Sequence, residues 1–363
     1  MSILLDRKKT LFIGCGACGN KIVNDILESE SRFDGLFINT SIKDLQTLKH
    51  ATNKNMYIIP NADGTGKNRD LGKSYVKEYV SSMVDLLSKY PMHDIIYFVF
   101  SMGGGSGSSL SPLVIKLAKK IFPNKIINVV AVKPRTDSST KILENTKDTW
   151  NDIVKLKDCI NQFLFVDNNK KDNEEEINKK LVEDINSLYG ISNAGRQVID
   201  GADAGKLVAT SGNAYIYKLR DEFKDDIELA LNVASKESIY YERTSDYCTN
   251  IGVSIKEGVF DLKTVVNKFK YEEDAFEGYN KENLVVVTGC AMPKLMIELI
   301  NEELANRQAE LEKRKAERHD DEDLLVETKV KEKKTEDKVD DIDLSSSKKI
   351  EDILGDGFFD DLL

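Results

Sequence analysis

The stretch Gly103-Gly104-Gly105-Ser106-Gly107-Ser108-Ser109 decides the fold of this chain, and it closely follows the apolar run Asp94 to Phe100 (DIIYFVF). A nearly uninterrupted apolar run is expected of a strand buried on both faces of a parallel sheet. Three consecutive glycines allow the backbone to approach a ligand, and the serines open a helix whose first N–H groups have no partner inside that helix. Strand, glycine loop and helix in this order predict a cradle for phosphate, to which the serine hydroxyls add donors.

A second glycine loop, Gly14-Cys15-Gly16-Ala17-Cys18-Gly19, lies between the apolar strand Leu11 to Ile13 and the amphipathic stretch Asn20 to Leu27. It satisfies G-x-G-x-x-G, a pattern that suits a dinucleotide-binding enzyme equally well. Such an enzyme needs an acid at the end of its second strand to hold a ribose hydroxyl, and this chain has Asn39 there. Asparagine can still bond a hydroxyl, so an NAD(P)-binding oxidoreductase is a weakened alternative that stays open.

Two phosphate cradles in one domain argue against both common nucleotide-binding motifs. A dinucleotide enzyme needs only one, and a P-loop requires a lysine directly before serine or threonine. Gly66-Lys67 is followed by Asn68 and lacks the upstream glycine, so the P-loop interpretation fails. Cys15 and Cys18 form C-x-x-C, but without a second pair or nearby histidines this pattern does not predict a metal site.

Composition narrows the class of protein further. A net charge of -10 over 363 residues argues against a surface that coats nucleic acid, and no stretch reaches the roughly 20 apolar residues of a membrane span. Five scattered cysteines suit a reducing cytoplasm, and three histidines are too few for a histidine-based metal site. We expect a cytoplasmic protein that contacts neither a membrane nor nucleic acid directly.

Apolar strands alternate with helical stretches through the first half of the chain, which predicts an α/β fold with a parallel sheet. From Glu174 to Ile199 apolar residues recur at helical spacing, so we expect one long helix in the core. Pro293 fits the first turn of another long helix, which reaches about His319. Further strands are predicted at 36–38, 56–59, 126–132, 163–166, 214–217, 252–255 and 284–287.

These elements divide the chain into five predicted parts. They are a nucleotide-binding domain (1–173), the central helix (174–200), a smaller α/β C-terminal domain (201–292), a C-terminal helix (293–319) and an acidic tail (320–363). The tail is charged and poor in apolar residues, which predicts a flexible segment. Its end, Ile350 to Leu363 (IEDILGDGFFDDLL), regains apolar residues and is typical of a recognition peptide.

The glycine loops carry a resemblance to a known family. The run GGGSGSS resembles the tubulin/FtsZ signature GGGTG, with Ser106 where threonine is usual, and GCGACGN (14–20) resembles the first phosphate loop of FtsZ. Four more segments resemble family segments and occur in the same order. FINTS (37–41) is similar to the INTD segment of the family, and NADGTGKN (61–68) occupies the position of its γ-phosphate-sensing loop. VKP (132–134) resembles the loop near the ribose, and VDNNK (166–170) resembles the segment that contacts guanine. The matches cover most of residues 10 to 215.

This resemblance implies a tubulin/FtsZ-like fold with GTP or GDP as ligand and with Mg²⁺ held mainly by the nucleotide phosphates and water. The helix length of the family places Asn178 opposite the guanine. Carried over residue by residue, the implied nucleotide contacts are Gly14, Cys15, Gly16, Cys18, Gly19, Asn20, Asn39, Asp63, Gly64, Thr65, Gly66, Lys67, Asn68, Gly103, Gly104, Gly105, Ser106, Gly107, Ser108, Lys133, Pro134, Asn168 and Asn178.

The family completes its hydrolytic site with acids that follow the central helix of the next subunit. Here Asp200-Gly201-Ala202-Asp203 is similar to the DxxD core of the family's NxDxxD loop, with Val198 in place of the asparagine. The resemblance implies that Asp200 orients the attacking water and that Asp203 assists through water or a cation, since phosphoryl transfer depends on positioning and electrostatics. The alternative is a structural filament in which both acids are idle.

The acidic, proline-free end FFDDLL and the long charged helix are more similar to TubZ-type partition proteins than to division FtsZ. That resemblance implies a head-to-tail filament of a polymerisation-activated GTPase, which moves plasmid or phage DNA. Its tail would hold a DNA-bound, TubR-like adaptor through Phe358, Phe359 and Leu362, with the acids complementing a basic partner. An FtsZ-like division-ring GTPase stays the alternative.

Overall fold

Strands and α-helices alternate along residues 3–192 and 197–319, the part of the chain that this computed structural model describes. The strands are β1 (Thr10–Cys15), β2 (Asp34–Asn39), β3 (Met56–Ile58), β4 (Ile95–Ser101), β5 (Ile126–Lys133), β6 (Gln162–Asp167), β7 (Gly212–Lys218), β8 (Tyr247–Ile255), β9 (Lys270–Tyr279) and β10 (Leu284–Cys290). The helices are α1 (Gly16–Ser29), α2 (Ile42–Gln46), α3 (Arg69–Glu78), α4 (Val80–Leu87), α5 (Ser106–Ile121), α6 (Thr140–Lys155), α7 (Glu174–Gly190), α8 (Gly201–Ala209), α9 (Ile227–Glu237), α10 (Leu262–Val266) and α11 (Lys294–His319).

These ten strands form one sheet in the order β3-β2-β1-β4-β5-β6-β7-β10-β8-β9. From β3 to β6 all neighbours pair in parallel, as the crossover helices between them require. Beyond β7 the pairing with β10 and β8 becomes antiparallel. The two halves meet where β6 pairs with β7 through Gln162–Gly212 and Phe163–Asn213. The predicted class, a parallel-sheet domain followed by a smaller α/β domain, is confirmed, while the five boundaries stay predictions.

Strand β4 shows why the strands in the first half of the chain have nearly unbroken apolar sequences. Tyr97 and Val99 point into the core on one face of the sheet, together with apolar side chains of α1 and α7. Ile96 and Phe98 point into the core on the other face, with those of α5 and α6. All four side chains are at most 1% exposed. Because both faces are covered, the strand is apolar from Ile95 to Phe100, and only its last residue, Ser101, is polar.

The helix predicted from Glu174 to Ile199 is shorter in the structure, where α7 ends at Gly190. Residues 193–196 lie outside the described residues, and Val198 and Ile199 are not helical. The carbonyl oxygen of Gln197 accepts a hydrogen bond of 2.8 Å from the N–H of Tyr279 in β9, so this segment follows the sheet. Ile199 is buried in the core for that reason. The prediction was wrong here because a sheet contact produced the same spacing of buried residues as a helix.

Strand β9 has no counterpart among the predicted strands. Its sequence, KYEEDAFEGY, carries charges on both faces, and its first five residues are exposed. It pairs with β8 and lies at the edge of the sheet. A charged edge strand discourages pairing with other chains, but it also removes the apolar alternation by which a strand is recognised.

Helix α11 begins directly after Pro293, whose carbonyl oxygen accepts from the N–H of Met296 at 3.0 Å, as the position of the proline predicted. It reaches His319 and packs against α6. The predicted acidic tail, 320–363, lies outside the described residues. Among the helices of residues 3–192 and 197–319, none combines the length and the hydropathy that crossing a membrane requires.

Gly19 allows α1 to lie directly on β4. A Cβ at this position would collide with the carbonyl oxygen of Val99, so Gly19→Ala has to push helix and strand apart. We expect urea denaturation without nucleotide to show a free energy of unfolding lowered by about 1–3 kcal/mol, the usual effect of overpacking. Gly201→Ala is the control, because its Cβ would lie 3.7 Å from Cδ2 of Leu4, an ordinary contact. Equal stability of the two variants would contradict this account.

Candidate active site

The two glycine loops meet at the carboxyl ends of β1 and β4, backbone against backbone. Gly16 has a φ of 71°, and a Cβ on it would lie 2.6 Å from the nitrogen of Gly107. A Cβ on Gly107 would lie 2.8 Å from the carbonyl oxygen of Cys15. Both positions therefore require glycine. The contact brings the N-termini of α1 and α5 together, where their unpaired N–H groups can bind one anionic group.

Gly104 faces open space at the centre of the second loop, since a Cβ there would meet no atom within 4 Å. The hydroxyl of Ser106 lies 2.6 Å from that of Thr40 at the end of β2. Ser108 is fully buried; its hydroxyl donates to the carbonyl oxygen of Gly104 and accepts from Nε of Arg69 at 3.2 Å. These hydroxyls, predicted as phosphate donors, are engaged within the protein, and Ser108 can face a ligand only through its backbone N–H.

The loop of residues 61–68 lies against the second glycine loop. A Cβ on Gly105 would collide with Oγ1 of Thr65, and it would lie 2.8 Å from Cα of Lys67. Gly66 and Lys67 have φ values of 55° and 66°, in the left-handed region. Asn68 accepts from two N–H groups of α3 and thereby caps that helix. The remaining members of the predicted contact set in this loop are Asp63, which is exposed, and Gly64, with a φ of 81°.

Polar residues at the ends of β2 and β5 bind their neighbours. Nδ2 of Asn39 donates to Oδ2 of Asp44 at 3.0 Å. Lys133 is 2% exposed, and its ammonium lies 2.9 Å from Oδ1 of Asp167 at the end of β6. This buried ion pair joins β5 to β6. Pro134 packs against the second glycine loop, and the ribose contact implied for Lys133 and Pro134 stays a prediction.

Two buried asparagines near the same edge have side-chain oxygens without a hydrogen-bond partner in the described structure. Nδ2 of Asn168 donates to Glu174 at 3.0 Å, and Nδ2 of Asn20 donates to the carbonyl oxygen of Ile38 at 3.0 Å. An unpaired buried acceptor costs about 1–3 kcal/mol, which an N–H donor from a ligand would remove. Asn178 lies one turn beyond Glu174 on α7 and is half-buried. A backbone cradle beside unpaired acceptors fits a phosphorylated ligand whose base carries N–H groups, as guanine does.

The side chain of Cys15 is buried in the core on one face of the sheet, and that of Cys18, which is half-buried, packs against the core on the other face. Burial raises the pKa of each thiol to about 12, so both stay protonated at neutral pH. A thiol that stays protonated is neither a metal ligand nor a nucleophile. No group of three or more His, Cys, Asp or Glu residues in the described ranges could hold a metal ion. Cys15, which is fully buried, can contact a nucleotide only through its backbone, and its side chain packs into the core.

Asp200 caps the N-terminus of α8. Its Oδ1 accepts hydrogen bonds from the N–H groups of Ala202 and Asp203 at 2.8 and 2.9 Å. Asp203 is half-buried, and this burial, followed by the charges of Asp200 and Asp274, raises the pKa of its carboxyl. Two adjacent carboxyls of which one caps the helix can divide the tasks of orienting a water molecule and accepting its proton.

These acids lie at the edge of the sheet opposite to the glycine loops. Nδ2 of Asn128, near the start of β5, donates to the carbonyl oxygen of Val208 in α8 at 3.1 Å. The N–H of Leu5, which precedes β1, donates to the carbonyl oxygen of Gly201 at 3.0 Å. Strands of six to eight residues separate the two edges, and at about 3.3 Å per residue this is about 20–26 Å. The phosphate cradle and the acids of one subunit cannot act on the same bond.

Arg307 belongs to the surroundings of the site, although no sequence pattern indicated it. From α11 it donates to the carbonyl oxygens of Ser138 and Thr136, at 2.6 and 2.9 Å, in the loop after β5. The N–H of Thr136 donates to Oδ1 of Asn169 at 3.1 Å, directly beside Asn168. Arg307 is thus connected to the loops at the ribose end of the predicted site. The contact joins residues 169 positions apart, beyond the range of any local pattern.

Two glycine loops that meet at one edge of the parallel sheet, where two helices begin, are the arrangement of a nucleotide-binding α/β protein. Comparison with known proteins agrees with that class. Residues 9–173 match the model of the Tubulin/FtsZ family, GTPase domain. Residues 203–291 match the model of the C-terminal domain of the tubulin-like protein TubZ.

Whole-chain similarities point to the same group. The tubulin-like protein TubZ of Clostridium botulinum C phage is 34% identical over 303 residues, which are 82% of this chain and 83% of that protein. The solved structure of Clostridium botulinum phage c-st TubZ, truncated at its C-terminal tail, superposes with a TM-score of 0.78 and 33% identity over 84% of this chain and 99% of that one. A helical model of the TubZ-Bt two-stranded filament, at 15% identity and a TM-score of 0.76, covers 90% of this chain and 94% of its own and shares the fold.

The chain belongs to the tubulin/FtsZ family and, within it, to the TubZ group of tubulin-like proteins. Membership supports a tubulin-like, filament-forming GTPase that binds GTP and GDP. The predicted recognition of the family is thereby confirmed. The match to a GTPase domain also decides between the nucleotide alternatives in favour of GTP over NAD(P).

Gly104→Ala tests the open cradle. The added methyl group fills space that the protein leaves free, so we expect an unchanged free energy of unfolding without nucleotide. Affinity for GTP and GDP should fall at least about tenfold, because the backbone N–H groups can no longer approach a phosphate closely. Urea denaturation measures the first quantity, and equilibrium titration with fluorescent nucleotides measures the second. Unchanged affinity in the folded variant would place the phosphates elsewhere.

Proposed function

We propose that this protein assembles head to tail into filaments and hydrolyses GTP between adjacent subunits. The observation that supports the proposal is the distance between the glycine loops, which would bind the phosphates, and the two acids that would act in hydrolysis. The phosphate cradle lies at the carboxyl ends of β1 and β4, and Asp200 and Asp203 lie at the opposite edge, about 20–26 Å away. Stacking one subunit on the next brings the acids of one copy to the nucleotide of the other. Such a heterologous contact repeats without closing and gives open filaments.

In this mechanism the protein mainly positions groups. The glycine loops at Gly14–Gly19 and Gly103–Ser108 hold the phosphates through backbone N–H groups, and Asn168 accepts from the base. Asp200 uses Oδ1 for the helix cap, which leaves Oδ2 to orient and polarise the attacking water. Asp203, whose pKa is raised by burial, assists through water or a cation. Mg²⁺, held mainly by the phosphates and water, would neutralise developing charge when bound.

Asp200→Asn is the sharpest test of the acids. Asparagine caps a helix as well as aspartate does, so α8 should stay intact while the negative charge is lost. We expect GTP binding to be preserved, phosphate release to fall at least about tenfold, and polymers to last longer. Asp226→Asn is the matched control, since Asp226 caps α9 through the N–H of Leu229 at 3.0 Å. Its turnover should equal that of the unchanged protein.

Mixing variants tests whether hydrolysis takes place between subunits. Asp200→Asn subunits hold GTP but lack the acid, and Gly104→Ala subunits have the acid but hold GTP weakly. An equimolar mixture should release phosphate faster than either variant alone, because intact acids of the second then meet GTP on the first. Normal turnover by Asp200→Asn alone would disprove the role of the acid. A mixture no faster than its components would disprove the shared site.

We further propose that the filament moves plasmid or phage DNA in the cytoplasm through a DNA-bound, TubR-like adaptor. Support comes from the TubZ-type C-terminal domain and from the phage origin of a relative that is 34% identical. The five cysteines are free thiols, which suits a reducing compartment. The acidic peptide Phe358 to Leu363 would bind the adaptor, so the filament itself contacts neither DNA nor membrane. An FtsZ-like role in division is the second candidate, but no observation favours it.

Truncation at Ser345 tests the tail. Because the tail follows α11 and is remote in sequence from every loop of the site, GTPase activity and assembly should be unchanged. Co-sedimentation of filaments with an adaptor–DNA complex should be lost, and Phe358→Ala should weaken it at least about tenfold. Ser346→Ala, outside the predicted peptide, is the control and should bind normally. Recruitment by the truncated protein would disprove the role of the tail.

A further inference from the structure

Asn145 lies on the inward face of α6, wholly buried between two loops of the site. Its Nδ2 is 3.0 Å from the carbonyl oxygen of Lys67, 3.2 Å from that of Gly103 and 3.4 Å from that of Gly104. One side-chain amide thus donates to the loop of residues 61–68 and to the second glycine loop. Nothing in the sequence indicated Asn145, because it is distant along the chain from both loops.

The geometry fixes which end of the amide faces the loops. With the amide turned over, Oδ1 would stand against three carbonyl oxygens that cannot donate. The donating end is therefore toward the loops, and Oδ1 is left buried without a partner in the described structure. A buried acceptor without a partner costs about 1–3 kcal/mol. An apolar side chain would avoid that cost. The contribution of Asn145 therefore lies in the hydrogen bonds that its Nδ2 donates to the two loops.

The hydrogen bonds to the carbonyl oxygens of Gly103 and Gly104 also affect the direction of the N–H groups of the residues that follow, Gly104 and Gly105. In a trans peptide the carbonyl of one residue and the N–H of the next point to opposite sides. The carbonyl of Gly103 is turned toward α6, and that of Gly104 accepts both from Asn145 and from the hydroxyl of Ser108 in α5, so the N–H groups of Gly104 and Gly105 are turned away from these donors. The space beside Gly104 is open, because a Cβ added there would meet no atom within 4 Å. Asn145 thereby helps to set the direction of these two N–H groups beside the open space at Gly104.

The bond to Lys67 holds the third loop against the second. Lys67 has a φ of 66°, a left-handed conformation that is uncommon for a residue with a side chain. Its carbonyl is turned toward Nδ2 of Asn145, which helps to keep this conformation. Without Nδ2 of Asn145, the two loops would lose the hydrogen-bond donor that they share, and each could move more freely relative to the other.

Helix α6 is itself fixed with respect to the loops. Asp152, two turns beyond Asn145, forms an ion pair of 2.6 Å with Nη2 of Arg69, and both are buried. Nη2 of Arg69 also donates to the carbonyl oxygen of Ser108 at 3.0 Å. Thr149 donates to the carbonyl oxygen of Met102 at 2.8 Å. These bonds connect α3, α5 and α6 and leave Asn145 little freedom to shift.

We propose that Asn145 is the positioning residue that aims the N–H groups of Gly104 and Gly105 at the nucleotide phosphates and couples this loop to the loop of residues 61–68. The proposal rests on the function proposed above, namely that these loops bind GTP. Asn145 touches no reacting atom and acts through the backbone of the loops.

The test substitutes Asn145 and measures phosphate-dependent affinity. Asn145→Leu keeps the volume and removes the donors, and Asn145→Ala is the second variant in case leucine disturbs packing. We expect the Kd for GDP and GTP to rise at least about tenfold. The Kd for guanosine, measured by competition, should change less than about twofold, so the preference for GDP over guanosine falls. General damage to the fold would weaken guanosine and GDP equally.

Thr146→Val is the matched control. Thr146 is equally buried on α6, but its hydroxyl donates to the carbonyl oxygen of Ile142 within the same helix at 2.8 Å. Its nucleotide affinities should match those of the unchanged protein. The proposal is overturned if folded Asn145 variants bind GDP normally, if guanosine and GDP weaken by the same factor, or if neither variant folds while Thr146→Val does. If the unchanged protein binds no GTP, the proposed function itself fails instead.

Discussion

The close approach of two glycine backbones, Gly16 and Gly107, is the constraint on which the site depends. Neither position tolerates a Cβ, and their contact brings two helix N-termini to one point at the carboxyl edge of a parallel sheet. Each helix start leaves N–H groups without partners, which is unfavourable unless an anion or water binds them. The packing of the sheet therefore produces the predicted phosphate site, before any side chain contributes specificity.

Strand polarity then determines how hydrolysis would be controlled under the proposed mechanism. All strands from β3 to β6 run the same way, so the phosphate loops gather at one edge and α8, with Asp200, meets the other. A strand of the observed length is too long for the acids to reach the nucleotide of their own subunit. Turnover under the proposed mechanism thus requires assembly, and the separation that prevents hydrolysis in the single subunit is the same one that makes the contact between subunits productive.

Much of this was predictable from the sequence because the information was local. The apolar runs predicted nine of the ten strands of the described structure, and the glycine spacing predicted both loops. Local sequence patterns did not predict the structure where a contact between residues far apart in the chain determined it. Ile199 has helical spacing but follows β9, whose exposed, charged sequence gave no strand signal. Arg307 and Asn145 bind loops far away in the chain, so only the folded structure brings them to the site.

The sequence by itself determined the family, the two glycine loops and the pair of acids at Asp200 and Asp203, since residue type and spacing carry those features directly. Tertiary structure alone decided which donors remain free for a ligand. It engages the hydroxyl of Ser108 inside the protein and leaves Gly104 open. It also places the acids at the far edge of the sheet. Hydrogen-bond partners and edge position depend on how strands and helices pack, and packing joins residues that the sequence keeps apart.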